Sequence, residues 1–317
     1  MLNQLQEVID YLNENMSDPV PRYILKKEIM GDSSFESEYG RLKESKWYKQ
    51  LFSEQWENGS WGRFHTQDSK SPIKQKFTTT ENALKRVLEL GLGKNNDEMF
   101  KCIQLMERYI LGQEDWLDKD EKHAAFKIAF RTIIAANLAL FDPNHTVIQT
   151  KKEKCVDILS KSFINGSLDE GIWEKEYRAC NEVFLNPFTS YITWLLQNND
   201  YLDKSKEREY LEYIWNRKDG IYYCTGNPPS DIQSLESNNF INWISGLECL
   251  SGFLLFPEFM SRGTTDHLLN EIQRLMYQDI DLPNAHPIFG HYSESWSKKQ
   301  TRKNDLILRI LRILMKC

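Results

Sequence analysis

An aromatic residue at the turn between two helical segments recurs along this chain, and that recurrence limits the fold more than any other feature. Trp61, Trp116, Trp173 and Tyr222 lie 55, 57 and 49 residues apart. Each closes a short string carrying Gly or Asp: Asn58-Gly-Ser-Trp61, Gln113-Glu-Asp-Trp116, Asp169-Glu-Gly-Ile-Trp173 and Asp219-Gly-Ile-Tyr222. A fifth unit follows, with a long loop around Phe289 and Tyr292.

The segments on either side of these turns differ in composition. Residues 97–111, 205–217 and 266–278 are amphipathic; in the last, Leu268, Leu269, Ile272, Leu275 and Met276 form one stripe. Such helices keep one wet face. Residues 123–141 and 240–256 are apolar nearly all round, with Phe126, Ile128, Phe130, Ile133, Ile134 and Leu138 in the first and Trp243, Leu247, Leu250 and Phe253 in the second. A helix apolar on every side must be covered on every side. An inner ring of helices inside an outer ring does this, so the expected fold is all-α, an α/α toroid of about five helix-pair repeats. Residues 303–316 supply the last inner helix, and only Gly220 to Cys224 reads as extended.

Residues 1–45 add one or two helices before the repeats at 46–317, the first broken near Ser17 by Pro19 and Pro21. With no Pro/Gly/Ser-rich linker, 1–317 reads as a single domain. The formal charge is -6 and no Lys/Arg block is present, which argues against a nucleic-acid partner. No apolar run approaches the ~20 residues that cross a bilayer. Met1 to Tyr11 reads as a helix start rather than a signal peptide, so the expected location is cytoplasmic. The six cysteines are scattered without a CxxC pair and are expected as free thiols, several of them buried.

Gln55-Trp-Glu-Asn-Gly59-Ser-Trp61 fits Gln-x3-Gly-x-Trp, the core of the QW repeat of squalene-hopene-type cyclases. The chain thus resembles the terpenoid cyclase and protein prenyltransferase superfamily, including bacterial proteins with prenyltransferase-like repeats. The resemblance covers 46–317 as a periodicity and one unit in detail. Physically the motif is a cap: the Gln amide serves free backbone groups at a helix end, the Gly permits the turn, and the Trp covers it. It implies a fold and does not imply a chemistry.

The family chemistries match less well. A cyclase that protonates its substrate uses Asp-x-Asp-Asp; the nearest string is Asp118-Lys-Asp120-Glu121, which equally suits an acidic first helical turn. A prenyltransferase zinc needs Asp and Cys two apart, and no Asp-x-Cys occurs; Cys224, His286 and His291 are a makeshift set, so no metal and no cofactor is expected. A glycan-processing toroid needs two carboxylates on a cleft. Asp169, Glu170, Glu174 and Glu176 cluster near the third turn, where a solvated acidic loop is the plainer reading.

The most distinctive string is Trp61-Gly-Arg-Phe-His65-Thr-Gln-Asp68, in a loop running to Thr78-Thr79-Thr80-Glu81 at the next helix start. Thr78 or Thr79 with Glu81 suggests a capping pair. A loop of ~15 residues between helices exceeds ordinary connections. Arg63 could clamp an anion and His65 could carry a proton. Arg131, on an apolar helix, needs a partner or a wet cavity; His145 and His267 read as surface residues. In a toroid all outer-to-inner turns open at one end, so loops 62–76, 115–123, 174–181 and 284–296 are expected to meet there. The candidate site is therefore His65, Asp68 and Asp120 as catalytic groups, with Arg63, Glu81, His123 and Arg131 binding a small prenyl or anionic ligand. A non-catalytic ligand-binding or scaffold toroid is the alternative, a glycan-processing enzyme the second. Oligomeric state is open.

Overall fold

The computed structural model describes residues 2–68, 70, 74–115, 118, 124–282 and 291–317. They are mostly helical. In chain order the helices are α1 (Leu2–Asn15), α2 (Pro19–Ile24), α3 (Phe35–Glu44), α4 (Lys46–Ser53), α5 (Thr80–Glu89), α6 (Phe100–Ile110), α7 (Ala124–Phe141) and α8 (Gln149–Ser162). They continue as α9 (Glu170–Ala179), α10 (Ser190–Leu196), α11 (Lys204–Trp215), α12 (Phe240–Leu250), α13 (Phe256–Met260), α14 (Thr264–Tyr277) and α15 (Lys299–Leu314). Among the described residues the only sheet is a two-residue antiparallel hairpin, β1 (Phe163–Ile164) against β2 (Ser167–Leu168). The chain packs as two compact units, one from Met1–Phe100 with Ser261–Cys317 and one from Lys101–Met260.

The first unit joins both ends of the sequence. α1 buries Leu5, Val8 and Leu12 along one stripe and packs against α15. Pro19 occupies the first position of α2, where a missing N–H is no loss. That helix runs into a π-helical turn, Leu25–Met30, and stops at Gly31, whose φ is 60°. Ser45 caps α4 by accepting the Tyr48 N–H, and Thr79 caps α5 by accepting the Asn82 N–H. α14 buries its Leu268–Met276 stripe as its periodicity requires. α15 is covered on nearly all sides, including the polar Lys303, Asn304 and Asp305. Lys303 Nζ reaches the Gln278 carbonyl at 2.8 Å and Asn304 Nδ2 the Asn15 carbonyl at 3.0 Å, so these buried groups are satisfied.

The second unit centres on α7, whose Phe130, Ile133, Ile134, Ala135, Ala136 and Leu138 are all buried. α10 packs on α7, α8 and α12. α6 buries Cys102, Leu105, Met106 and Tyr109 and leaves Phe100 in solvent, the amphipathic pattern expected of it. Lys152 on α8 is 1 % exposed; Nζ donates to the carbonyls of Pro143, at 2.9 Å, and Asn198. Its burial lowers the ammonium below its ordinary range.

Several sequence expectations are corrected. Trp173 stands inside α9 rather than at a turn, and Tyr222 is 55 % exposed rather than folded over a helix end. Trp116 lies outside the described residues. Segment 240–256 is not one apolar helix: α12 stops at Leu250, where the Gln197 amide donates to the Cys249 carbonyl, and Ile241 is exposed. A Cβ on Gly252 would run into the same Gln197 side chain, so the break is built from tertiary contacts. The extended piece at Gly220–Cys224 is a tight turn with two isolated bridges, Thr189 to Tyr222 and Ile221 to Thr225. Gly220 has φ 65°, and a Cβ there would meet the Thr225 carbonyl and sit 2.7 Å from that of Asn227. Gly220→Ala is expected to cost about 2 kcal/mol in urea unfolding, from strain at positive φ with backbone atoms that cannot step aside.

Candidate functional site

The loop after α4 forms a clamp between two helices of the first unit. Trp61 is fully buried, and its indole N–H donates to the Leu51 carbonyl at 2.7 Å, a free carbonyl in the last turn of α4. The Gln55 amide donates to the Gly59 and Glu98 carbonyls, each at 2.9 Å. Gly59 and Gly62 have φ of 91° and 95°, which a side chain would resist. The Gly and Trp of the QW-like string therefore act as the capping argument requires, whereas the Gln55 amide ties the turn to the Glu98 carbonyl ahead of α6 rather than to the end of α4.

The same loop caps the start of α5. Thr80 N–H donates to the Arg63 carbonyl at 2.8 Å and Glu81 N–H to the Phe64 carbonyl at 3.0 Å. The Trp61 N–H donates to Thr80 Oγ1 at 3.0 Å. Gln75 Nε2 ties back to the Trp61 carbonyl at 2.7 Å, and the Glu54 carboxylate accepts the N–H groups of Lys76 and Phe77 at 2.8 and 2.9 Å. Two orphan donors of a helix are thus served by loop carbonyls, which fixes the path of residues 61–64.

That path buries Trp61 and Phe64 completely and leaves Arg63 and His65 half-buried. Arg63 Nη2 lies 3.2 Å from Asp68 Oδ2, and His65 Nδ1 lies 2.6 Å from Glu81 Oε2. Glu81 does not close a capping box; the residue at that position is Asn82, and Glu81 turns to the imidazole instead. The arrangement places a guanidinium and an imidazole above the buried Trp61 and Phe64, each beside a carboxylate. A carboxylate on Nδ1 fixes the orientation of an imidazole.

Arg63, His65, Asp68 and Glu81 are therefore brought together. Asp120 and His123 lie outside the described residues. Arg131, in the second unit, lies over the turn at Gly112, where a Cβ would stand 2.7 Å from its Nη2. Of the expected loops, 174–181 is largely the end of α9, and most of 115–123 and 284–290 are not described. The acidic set near the third turn is committed to structure. Asp169 caps α9, Glu170 accepts the Tyr213 hydroxyl, Glu174 pairs with Arg178 and Glu176 with Lys161. His145 is not a surface residue either: Nε2 sits 2.8 Å from Glu107 Oε1. His291 is buried and stacks on Trp296, and His286 is not described. Among the described residues no cluster of His, Cys, Asp and Glu is suited to a metal ion.

One group escaped the sequence reading. Asp305 is 1 % exposed on α15 and accepts the Tyr292 and Ser293 N–H groups, each at 3.0 Å, and the Ser293 hydroxyl at 2.6 Å. Burial nevertheless pushes its carboxyl up to about 7. The available signal was an acid directly before Leu306-Ile307-Leu308, in a segment otherwise apolar but for Arg309 and Arg312. Open recesses of about 530 and 480 Å³ occur along α1 and beside α3, the first rimmed by Glu7, Asp10, Glu14 and Tyr277, and none of the loop's four polar residues lines either. No described helix is long and apolar enough to cross a membrane. Comparison with protein-family models, with curated proteins and with solved structures finds no match for this chain.

Proposed function

We propose that the chain is an α/α toroid of the terpenoid cyclase and prenyltransferase kind, and that its first interhelix loop binds a small anionic ligand. The toroid reading is supported by the QW-like caps and by the contrast between the covered α7 and α15 and the one-faced α6 and α14. The ligand reading rests on one observation: Arg63 and His65, two positions apart in the loop that buries Trp61 and Phe64, each pair with a carboxylate, and the Arg63 pair is partly open to solvent. Asp68 is the more open of the two carboxylates, at 38 % exposure. A partly exposed ion pair is worth ~0–1 kcal/mol, so a ligand oxyanion can displace Asp68 from Arg63 at little cost. A phosphate or carboxylate would then take the guanidinium fork, with the His65 ring as a second contact. The loop binds in this reading and no reaction is assigned to it.

Thermal shifts with phosphate, pyrophosphate and glucuronate test the proposal. At a hundredfold excess over Kd one of them should add ~2.7 kcal/mol of stability. The shift should vanish in Arg63→Ala, shrink in His65→Ala and grow in Asp68→Asn, which frees the guanidinium. A shift unchanged in Arg63→Ala and His65→Ala, or no shift with any of the three anions, overturns the assignment.

A further inference from the structure

The turn after α11 brings two cysteines together that are 25 positions apart in sequence. Gly220 and Tyr223 both have positive φ, at 65° and 68°, and the N–H groups of Cys224 and Thr225 both return to the Ile221 carbonyl, at 2.9 and 2.8 Å. The turn is anchored at Tyr222, whose N–H donates to the Phe188 carbonyl and whose carbonyl accepts the Ser190 N–H. Its far end presses on α12: the methyl of Thr225 would stand 3.0 Å from a Cβ at Gly246. Cys224 Sγ donates to the Ser245 carbonyl at 3.2 Å. Cys249 is one helical turn beyond Ser245 on the same face of α12, so the Cys224 side chain, held at the Ser245 carbonyl, neighbours the Cys249 thiol. Cys224 is half-open to solvent; Cys249 is 5 % exposed.

We propose that Cys224 and Cys249 are an oxidation site, at which a hydroperoxide converts the two thiols into an intramolecular disulfide that pins the Gly220–Thr225 turn to α12. Cys224, the accessible sulfur, reacts first. Its thiolate attacks the peroxide oxygen, an S–O bond forms, the O–O bond breaks, and the departing oxygen takes a proton and leaves as water or an alcohol. Cys224 is then a sulfenic acid, oxidised by two electrons. The Cys249 thiol gives up its proton, its sulfur attacks Cys224 Sγ, the S–S bond forms, and the sulfenic oxygen departs with protons as water. The sum is two thiols and one hydroperoxide giving a disulfide, one water and a second water or alcohol. The neighbouring Cys224 thiol, together with burial, holds the Cys249 thiol well above its ordinary range, so it stays protonated until the Cys224 sulfur has become an electrophile. Tyr222 and Tyr223, both more than half exposed, ride on the tethered turn.

The experiment treats the folded, fully reduced chain with hydrogen peroxide, blocks remaining thiols with an alkylating reagent, and maps peptides by mass. The expected product links the Cys224 and Cys249 peptides, with a loss of two hydrogens and two alkylation sites, and is reversed by dithiothreitol. In Cys249→Ala, Cys224 should stop at the sulfenic acid and be captured by dimedone; in Cys224→Ser, Cys249 should stay unoxidised. A retained circular-dichroism spectrum shows that either variant is folded. The proposal is overturned if wild type forms no such link, if the link appears only in denaturant, or if Cys224 joins two chains instead.

Discussion

Replacing Trp61 by Ala should cost ~3–5 kcal/mol, as removal of a fully buried large aromatic does. Two separate losses combine. The ring leaves a cavity beneath the loop, where its neighbours include Phe52, 6.1 Å away between ring centres. The indole N–H is also the donor that serves the Leu51 carbonyl at the end of α4. Trp61→Phe separates them: it keeps most of the packing and loses only the donor, so about 1–2 kcal/mol is expected. Urea unfolding monitored by circular dichroism gives both values. A loss below about 1 kcal/mol for Trp61→Ala would be that of a peripheral side chain, and the capping account of the loop would fail.

Asp305 should make the protein less stable as pH rises. Its carboxyl titrates near 3.8 in an unfolded chain and near about 7 when buried on α15. Between those values the folded state holds a proton that the unfolded state has released, so stability falls with increasing pH across that window. No contribution is expected below pH 4, and the full cost is present above pH 7. Each pH step inside the window is worth up to ~1.4 kcal/mol, which totals a few kcal/mol. Asp305→Asn mimics the protonated acid: its carbonyl oxygen can still accept from Tyr292 and Ser293, and its amide can donate to the Ser293 hydroxyl. Relative to wild type, this variant should gain roughly hundredfold to thousandfold in folding equilibrium constant from pH 4 to pH 8. A difference independent of pH would show that the carboxylate is already fully compensated by its three donors. Asp305→Ala is a different case, because it strands two backbone N–H groups, and should be destabilised by ~2–4 kcal/mol at either pH.

Local features were legible in the sequence where the physics is local. The α14 stripe, the restart at Pro19 and the Gln55–Trp61 cap depend on spacing, on a fixed φ and on a turn of seven residues, all within one segment. The pairing of Arg63 and His65 with Asp68 and Glu81 was half legible, since the residues are near in sequence but their partners were not. What could not be read depends on a distant neighbour. The end of α12 is set by Gln197, over fifty positions earlier. The same holds for Trp173, whose indole finds the Leu185 carbonyl from within a helix, and for Trp243, which finds that of Pro229. Among the described residues all three fully buried tryptophans donate to a backbone carbonyl, but only Trp61 does so at the turn where periodicity placed it. Tyr222 follows the same spacing and meets solvent.

The discontinuous first unit has a consequence for synthesis on the ribosome. Lys101–Met260 is an unbroken stretch, so every contact of the second unit is available once residue 260 has emerged. The first unit is in the opposite position. α1 is translated more than 250 residues ahead of α15, one of the segments it packs against. The apolar stripe of Leu5, Val8 and Leu12 therefore lacks its α15 cover until that later segment has been made. At ~5–20 residues per second that is a delay of some tens of seconds, long enough for a holdase chaperone to engage the nascent N-terminal helix before its intended cover arrives.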